Sequence, residues 1–125
     1  YRPYDYLKIL DLRAAAGAAD IIVSRAGSSI FEIAIWGKPS IIIPIPEETS
    51  HDQRSNAYSY ARSGSAVVIE ERNLTKNVLW AEIVRILNTP ELKNKMIEST
   101  KNFARVDSAR LIADEVVSIS IEHDR

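Results

Sequence analysis

The stretch DIIVSRAGSSIFEIAIWGKPSIIIPI, residues 20–45, decides the fold of this chain. Its two ends, residues 20–24 and 39–45, are short runs dominated by β-branched apolar residues, which is typical of strands buried on both faces. Between them, apolar residues recur at the i, i+3, i+4 spacing of a helix, and Gly37 stands just past the expected helix end. The stretch therefore predicts a β-α-β unit with parallel strands.

Strands and helices are predicted to alternate along the rest of the chain as well. Helices are predicted within residues 6–20, 52–62, 75–87, 90–104 and 107–119, and a third strand over residues 65–70. Trp36 and Trp80 are expected to pack in the core or between helices. The alternation predicts an α/β fold, a Rossmann-like doubly wound parallel sheet.

Length and composition indicate one globular domain and exclude several classes of protein. The chain has 125 residues, of which 46% are hydrophobic and 26% charged, and its net charge is −1. Because Lys and Arg form no run, we expect no nucleic-acid partner. Cysteine is absent, and no apolar run approaches the ~20 residues of a membrane span. The first residue is not Met, which suggests a piece of a longer chain.

The turn between the first strand and its helix is a candidate phosphate site. Gly27 permits close backbone approach, while Ser28 and Ser29 cap a helix or donate to a phosphate oxygen. Glu32 follows within the predicted helix, where its carboxylate is suited to accept hydrogen bonds from a ribose diol. The alternatives are a capped turn without a ligand and an acid favoured by the helix dipole. These residues alone do not decide between them.

A polar segment, EETSHDQRSNA at residues 47–57, follows the second strand and opens the next helix. Asp52 and Gln53 offer paired acceptors and donors that match vicinal sugar hydroxyls. A catalytic dyad of His51 with Asp52 is disfavoured, because adjacent residues at a helix start point apart. A metal site is also disfavoured, since His51 and His123 are the only histidines and lack ligand spacing.

Three segments in order resemble one enzyme family. AADIIVSRAGSSIFEIAIWGKPSIIIPIP, HDQRSNAYSYARSGSAVVIEERNLT and DSARLIADEVV together resemble the C-terminal domain of the MurG-type transferases. These UDP-GlcNAc-dependent enzymes of peptidoglycan synthesis have the GT-B fold and belong to glycosyltransferase family 28. The resemblance implies that residues 1–125 are a partial C-terminal nucleotide-sugar-binding domain. The N-terminal acceptor domain and the first strand-loop of this domain are then absent from the sequence.

The resemblance implies roles for particular residues. The implied substrate-binding residues are Ala26, Gly27, Ser28, Ser29, Glu32, Asp52, Gln53, Asn56, Tyr6 and Leu7. The first four are expected to meet the pyrophosphate or donor sugar, and Glu32 the ribose. Asp52 and Gln53 are expected to contact the GlcNAc hydroxyls, with Asn56 on the same helix. Tyr6 or Leu7 is expected to cap the uracil, and the catalytic base is expected outside this chain.

Two positions depart from the usual pattern of the family. The spacing from Arg25 to Glu32 is one residue shorter than usual, which affects which backbone amide meets which phosphate. The pair Asp52 and Gln53 replaces a His-Gln or Gln-Gln pair, which affects how the sugar is held.

The implied reaction moves GlcNAc from UDP-GlcNAc to undecaprenyl-pyrophosphoryl-MurNAc-pentapeptide with inversion, without a metal or other cofactor. The implied partners are this donor and a lipid-linked acceptor held by the N-terminal domain. The implied location is the cytoplasmic face of the bacterial inner membrane, in peripheral contact. Two alternatives stay open: a related transferase with a dolichyl- or diacylglycerol-linked acceptor, and a donor-binding subunit that works with a partner chain.

Overall fold

The computed structural model describes residues 9–26, 30–44 and 51–105, and for residues 9, 10, 12, 13, 26, 31 and 51–54 it describes the backbone alone. The elements in chain order are α1 (Ile9–Ala18), β1 (Ile22–Ala26), α2 (Ile30–Trp36), β2 (Ser40–Pro44), α3 (His51–Arg62), β3 (Ala66–Val68), a short 3-10 helix (Glu71–Asn73), α4 (Lys76–Leu87) and α5 (residues 90–105).

The three strands form a parallel sheet in the order β1-β2-β3. Val23 of β1 pairs with Ile41 of β2, and Ile41 pairs with Val67 of β3. All five residues of β2 are buried, as expected for the central strand of a sheet with helices on both faces. The predicted doubly wound α/β class is therefore confirmed.

Successive residues of β2 point to opposite faces of the sheet, and each face has its own core. Ile42 packs on one face with buried residues of α2 and α3, namely Ile30, Ile33, Ala34, Ala57 and Tyr60. Ile41 packs on the other face with Ile69, Ile86 and Met96, which come from the end of β3, α4 and α5. Helices thus lie on both faces of the sheet, with α2 and α3 on one face and α4 and the start of α5 on the other. β1 lies at the edge of the sheet, and its Val23 is 41% exposed, so the predicted burial of this strand on both faces is wrong.

Helix α5 contacts both cores. Leu92 and Met96, near its start, pack into the cluster around Ile41. Phe103, near its described end, packs into the cluster around Ile42, and its ring meets that of Tyr60 edge-on at a centroid distance of 4.9 Å. The helix therefore passes from one face of the sheet to the other.

Two glycines end the helices that precede β2 and β3. Gly37 has φ +70° after α2 and Gly64 has φ +90° after α3, a backbone region that favours glycine. Their amides donate to the carbonyls of Ala34 and Ala61 at 3.1 and 3.0 Å. Both helix ends were predicted from these glycines and are confirmed.

Three expectations differ from the structure or lie outside it. β1 begins at Ile22 and continues through Ala26, two residues later than predicted, because pairing with β2 extends over polar residues. Trp36 packs against the core as expected, but Trp80 is 66% exposed on α4, so its expected packing is wrong. The helix predicted over residues 107–119 lies outside the described residues.

Candidate functional site

The carboxyl ends of β1 and β2 meet at one edge of the sheet. Ala26 and Pro44, the last residues of these strands, are paired in register. α2 begins four residues after β1 ends, and α3 begins seven residues after β2 ends. Ligands of doubly wound sheets bind at this edge, between the strand ends and the helix starts. The two helices that carry the predicted polar residues thus begin where such a ligand would lie.

Glu32 lies in the first turn of α2 and is exposed. Its carboxylate makes no hydrogen bond or ion pair with the side chains that the structure describes. The helix buries Ile33 and Ala34 against the core, so Glu32 lies on a helix whose orientation is set by packing. The structure thus leaves this carboxylate accessible to a ligand.

Helix α3 carries the second group of predicted residues. Asp52 and Gln53 are the second and third residues of the helix, in its first turn. Asn56 is exposed and follows Gln53 by three residues, which places the two on neighbouring positions of one helix face. Ala57 and Tyr60, further along the helix, are buried in the core and hold the helix against the sheet. The three predicted sugar-binding residues are therefore gathered at the start of one helix.

Of the remaining predicted substrate-binding residues, only Ala26 lies among the described residues. Ala26 is the last residue of β1, which places its backbone at the carboxyl edge. Gly27, Ser28, Ser29, Tyr6 and Leu7 lie outside the described residues, so their roles stay predictions.

Two contacts at the carboxyl edge were not foreseen from the sequence. The Arg25 guanidinium donates to Glu71 Oε1 at 3.0 Å, and the Tyr58 hydroxyl donates to the Glu70 carboxylate. Arg25 was part of the quoted turn motif without a role of its own. The signal that could have located the acids is their position directly after β3, at the same edge of a parallel sheet.

A family comparison fits this geometry. The family model described as the glycosyltransferase family 28 C-terminal domain matches residues 1–112 of the chain. The chain belongs to glycosyltransferase family 28. The resemblance predicted from the three segments is thereby confirmed.

Relatives of this family 28 domain carry one common name. Proteins from Geotalea daltonii, Anaeromyxobacter sp. (strain K) and Desulfitobacterium hafniense are 37%, 39% and 35% identical to it over 85%, 83% and 91% of the chain. Each is named UDP-N-acetylglucosamine–N-acetylmuramyl-(pentapeptide) pyrophosphoryl-undecaprenol N-acetylglucosamine transferase. The matched region spans 29%, 27% and 31% of these relatives.

At the amino edge of its sheet, the family 28 domain has a buried cluster of hydroxyl groups. The Tyr60 hydroxyl lies 3.2 Å from Thr100 Oγ1, which donates its single proton to the Met96 carbonyl at 2.8 Å. Tyr60 is therefore the donor in its bond to Thr100. Burial raises the pKa of Tyr60. The nearby hydroxyl groups of Thr100, Ser40 and Ser65 lower this pKa and so partly oppose the rise. Ser40 is also buried at this edge, and its hydroxyl forms no hydrogen bond with a described residue.

The described part of the domain has neither a cluster of metal-binding side chains nor a membrane-spanning helix. Within residues 9–26, 30–44 and 51–105, no three His, Cys, Asp or Glu side chains come together as a metal site. In the same residues, no helix has both the length and the apolar character to cross a bilayer.

Proposed function

We propose that this chain is the donor-binding part of an inverting glycosyltransferase. The reaction transfers GlcNAc from UDP-GlcNAc to undecaprenyl-pyrophosphoryl-MurNAc-pentapeptide. The family 28 match over residues 1–112 and the name shared by the relatives support this reaction. The observation that carries the proposal is the convergence of α2 and α3, with Glu32 and Asn56 exposed, at the carboxyl edge of a parallel sheet.

The nucleotide occupies the side of the site formed by β1 and α2. In this proposal the backbone of residues 26–29 meets the pyrophosphate, and Glu32 accepts hydrogen bonds from the two ribose hydroxyls. The exposure of Glu32 and the absence of a partner among described side chains support its role, because the carboxylate need not break a bond to bind. Tyr6 or Leu7 covers the uracil.

The sugar occupies the side formed by α3. Asp52 and Gln53 bond the GlcNAc hydroxyls, and Asn56 lies one turn further along the same helix. A site that bonds a substrate hydroxyl discriminates against analogues without it, because its own polar groups are then left unpaired. The two helices thus recognise separate parts of one donor.

The chemistry is a direct displacement at the anomeric carbon. The acceptor hydroxyl attacks that carbon, the bond from the carbon to the UDP oxygen breaks, and UDP leaves with the electron pair. Polar groups at the sheet edge stabilise the charge that develops on the leaving UDP. The base that removes the acceptor proton lies outside this chain in the proposal. Hydrogen-bond donors around the diphosphate are therefore the main contribution of this part of the protein.

The acceptor is held by a part of the longer protein outside this sequence. The matched region spans only about 30% of the relatives, which leaves room for a separate acceptor domain. A lipid-linked acceptor requires that the protein contact a membrane surface. We propose that the longer protein makes peripheral contact with the cytoplasmic face of the bacterial inner membrane. We call this longer protein the full-length protein below.

A transfer assay with the full-length protein tests the proposal. Labelled UDP-GlcNAc is offered with undecaprenyl-pyrophosphoryl-MurNAc-pentapeptide, with a dolichyl-linked acceptor or with diacylglycerol in parallel reactions. We expect labelled product with the MurNAc-pentapeptide lipid and inhibition by UDP. Transfer only to the dolichyl-linked acceptor or to diacylglycerol would refute the proposed acceptor. Absence of inhibition by UDP would refute the proposed donor site.

A further inference from the structure

Two adjacent acids contact β1 and α3, two elements that border the proposed donor site. Glu71 Oε1 accepts a hydrogen bond at 3.0 Å from Arg25, the residue before the end of β1. Glu70 accepts a hydrogen bond from the hydroxyl of Tyr58 on α3, two residues after Asn56. The dipeptide thus connects the strand that leads into residues 27–29, the proposed phosphate contacts, with the helix that carries the proposed sugar-binding residues.

The backbone of this dipeptide is held firmly. Ile69, directly before it, is buried, and its amide donates to the Ile42 carbonyl of the central strand at 3.0 Å. The carbonyls of Glu70 and Glu71 accept the amides of Asn73 and Leu74 at 2.9 and 3.1 Å in the 3-10 helix. The two acids therefore extend from a fixed point on the sheet.

We propose that Glu70 and Glu71 are positioning residues for the donor site. Glu71 holds Arg25 and sets the direction of the chain that enters residues 26–29. Glu70 holds Tyr58 and sets the placement of α3 with Asp52 and Gln53. Neither acid touches the donor. The proposal rests on the donor site described under Proposed function.

The energetics separate this positioning role from a role in folding. The Arg25 and Glu71 side chains are 55% and 46% exposed, and ion pairs at this exposure contribute little to stability. Donor binding is more sensitive, since the loss of one well-placed hydrogen bond to a charged group such as the diphosphate lowers affinity by about tenfold or more. Loss of the ion pair should therefore change donor binding far more than it changes unfolding.

The first experiment is a double-mutant cycle in the full-length protein on the pair of Arg25 and Glu71. We expect Glu71→Ala to raise the KM for UDP-GlcNAc and the inhibition constant of UDP alike, by about tenfold, with little change in kcat or melting temperature. Because Glu71 acts through its ion pair with Arg25, and either substitution removes that pair, adding Arg25→Ala should cause no further loss. Additive losses would overturn the proposal, since Arg25 would then bind the donor by itself.

The second experiment separates the two acids. Tyr58→Phe removes the hydroxyl that bonds Glu70, and we expect a higher KM for UDP-GlcNAc with unchanged inhibition by UDP, because α3 contacts the sugar alone. A merely structural role would lower the melting temperature and change both ligands together. An equal loss of UDP and UDP-GlcNAc affinity in Tyr58→Phe would overturn the assignment of Glu70.

The matched control is Glu82→Ala, which breaks an ion pair with Arg85 at 2.7 Å on α4. We expect no effect of this variant on either ligand. If the wild-type protein is not inhibited by UDP, the donor site and the positioning proposal both fail. If Glu32→Ala weakens donor binding but Glu71→Ala, like Glu82→Ala, leaves the binding of both ligands unchanged, the donor site stands and the positioning proposal alone is overturned.

Discussion

Replacing Glu32 with alanine should separate donor binding from stability. The exposed carboxylate has no bonding partner among the described side chains, so its removal breaks no contact within the fold. Alanine improves helix propensity by a few tenths of a kcal/mol, and loss of an acid near a helix start costs about 0.3–1 kcal/mol. These terms nearly cancel. We therefore expect a change of about 0.5 kcal/mol or less in the free energy of unfolding.

The effect of the same variant on the donor should be much larger. Hydrogen bonds to a charged group contribute about 1.5–3 kcal/mol, and each 1.4 kcal/mol is a factor of about ten in affinity. Glu32→Ala should thus lower the affinity for both UDP and UDP-GlcNAc by about one to two orders of magnitude.

The measurement is donor KM and UDP inhibition in the full-length protein, with the fold checked by circular dichroism. Glu98→Ala is the matched control, because Glu98 is an exposed acid on α5. A folded Glu32→Ala protein with unchanged KM and unchanged UDP inhibition would refute the ribose assignment.

Three further predictions concern the sugar side and the core. Gln53→Ala should raise the KM for UDP-GlcNAc by roughly tenfold and leave UDP inhibition unchanged, since a hydrogen bond to the sugar is worth about 1–3 kcal/mol; parallel kinetics check this, and equal losses for both ligands would contradict it. Tyr60→Phe should lower the free energy of unfolding by about 0.5–1.5 kcal/mol in urea denaturation below pH 10. Burial raises the pKa of Tyr60 above its ordinary 10.0, so the unfolded wild-type protein ionises this tyrosine first as pH rises above 10, and the wild-type protein loses stability there. The difference in unfolding free energy between wild type and Tyr60→Phe should therefore narrow above pH 10, and a difference that grows with pH would contradict the raised pKa. Gly64→Ala should cost about 1–2 kcal/mol, because φ is +90° and the new Cβ would lie 3.1 Å from Ser99 Oγ. Gly17→Ala is its control, since nothing lies within 4 Å of a Cβ there, and equal effects of the two would refute the backbone argument.

Local patterns in the sequence were sufficient to predict most of the fold. The apolar run of β2 reflects burial on both faces, and Gly37 and Gly64 mark helix ends because their backbone needs positive φ. The boundary of β1 was less predictable, because its pairing with β2 continues past the predicted end at Ser24, over Arg25 and Ala26. Backbone pairing does not follow hydropathy at the end of a strand.

Trp80 shows a second limit of local patterns. Large aromatic residues are usually buried, so packing was expected, yet α4 turns this residue outward. The helix buries Ile86 and half-buries Leu79 and Ile83, and these residues determine which side faces the sheet. The size of one side chain predicts burial less well than the apolar pattern of its helix.

The positions of the candidate site residues in the fold were predictable where these residues follow a strand within the same β-α unit. The sequence places Glu32 and the pair of Asp52 and Gln53 near helix starts that follow strands, and they lie in the first turns of α2 and α3. The bond from Arg25 to Glu71 spans 46 residues, and no local pattern connects two such positions. Only the alignment of strand ends in a parallel sheet brings them together.

The two edges of the sheet are held by different kinds of interaction. At the amino edge, Tyr60 and Thr100 bond each other out of contact with water, and loss of a buried partner there leaves a polar group unpaired. At the carboxyl edge, the bond from Arg25 to Glu71 is exposed, and exposed ion pairs contribute about 0–1 kcal/mol. Of these two contacts, the buried bond at the amino edge therefore contributes more to the stability of the fold than the exposed ion pair at the carboxyl edge. The side chains at the site edge can then be selected for donor geometry, since changing them costs the core little.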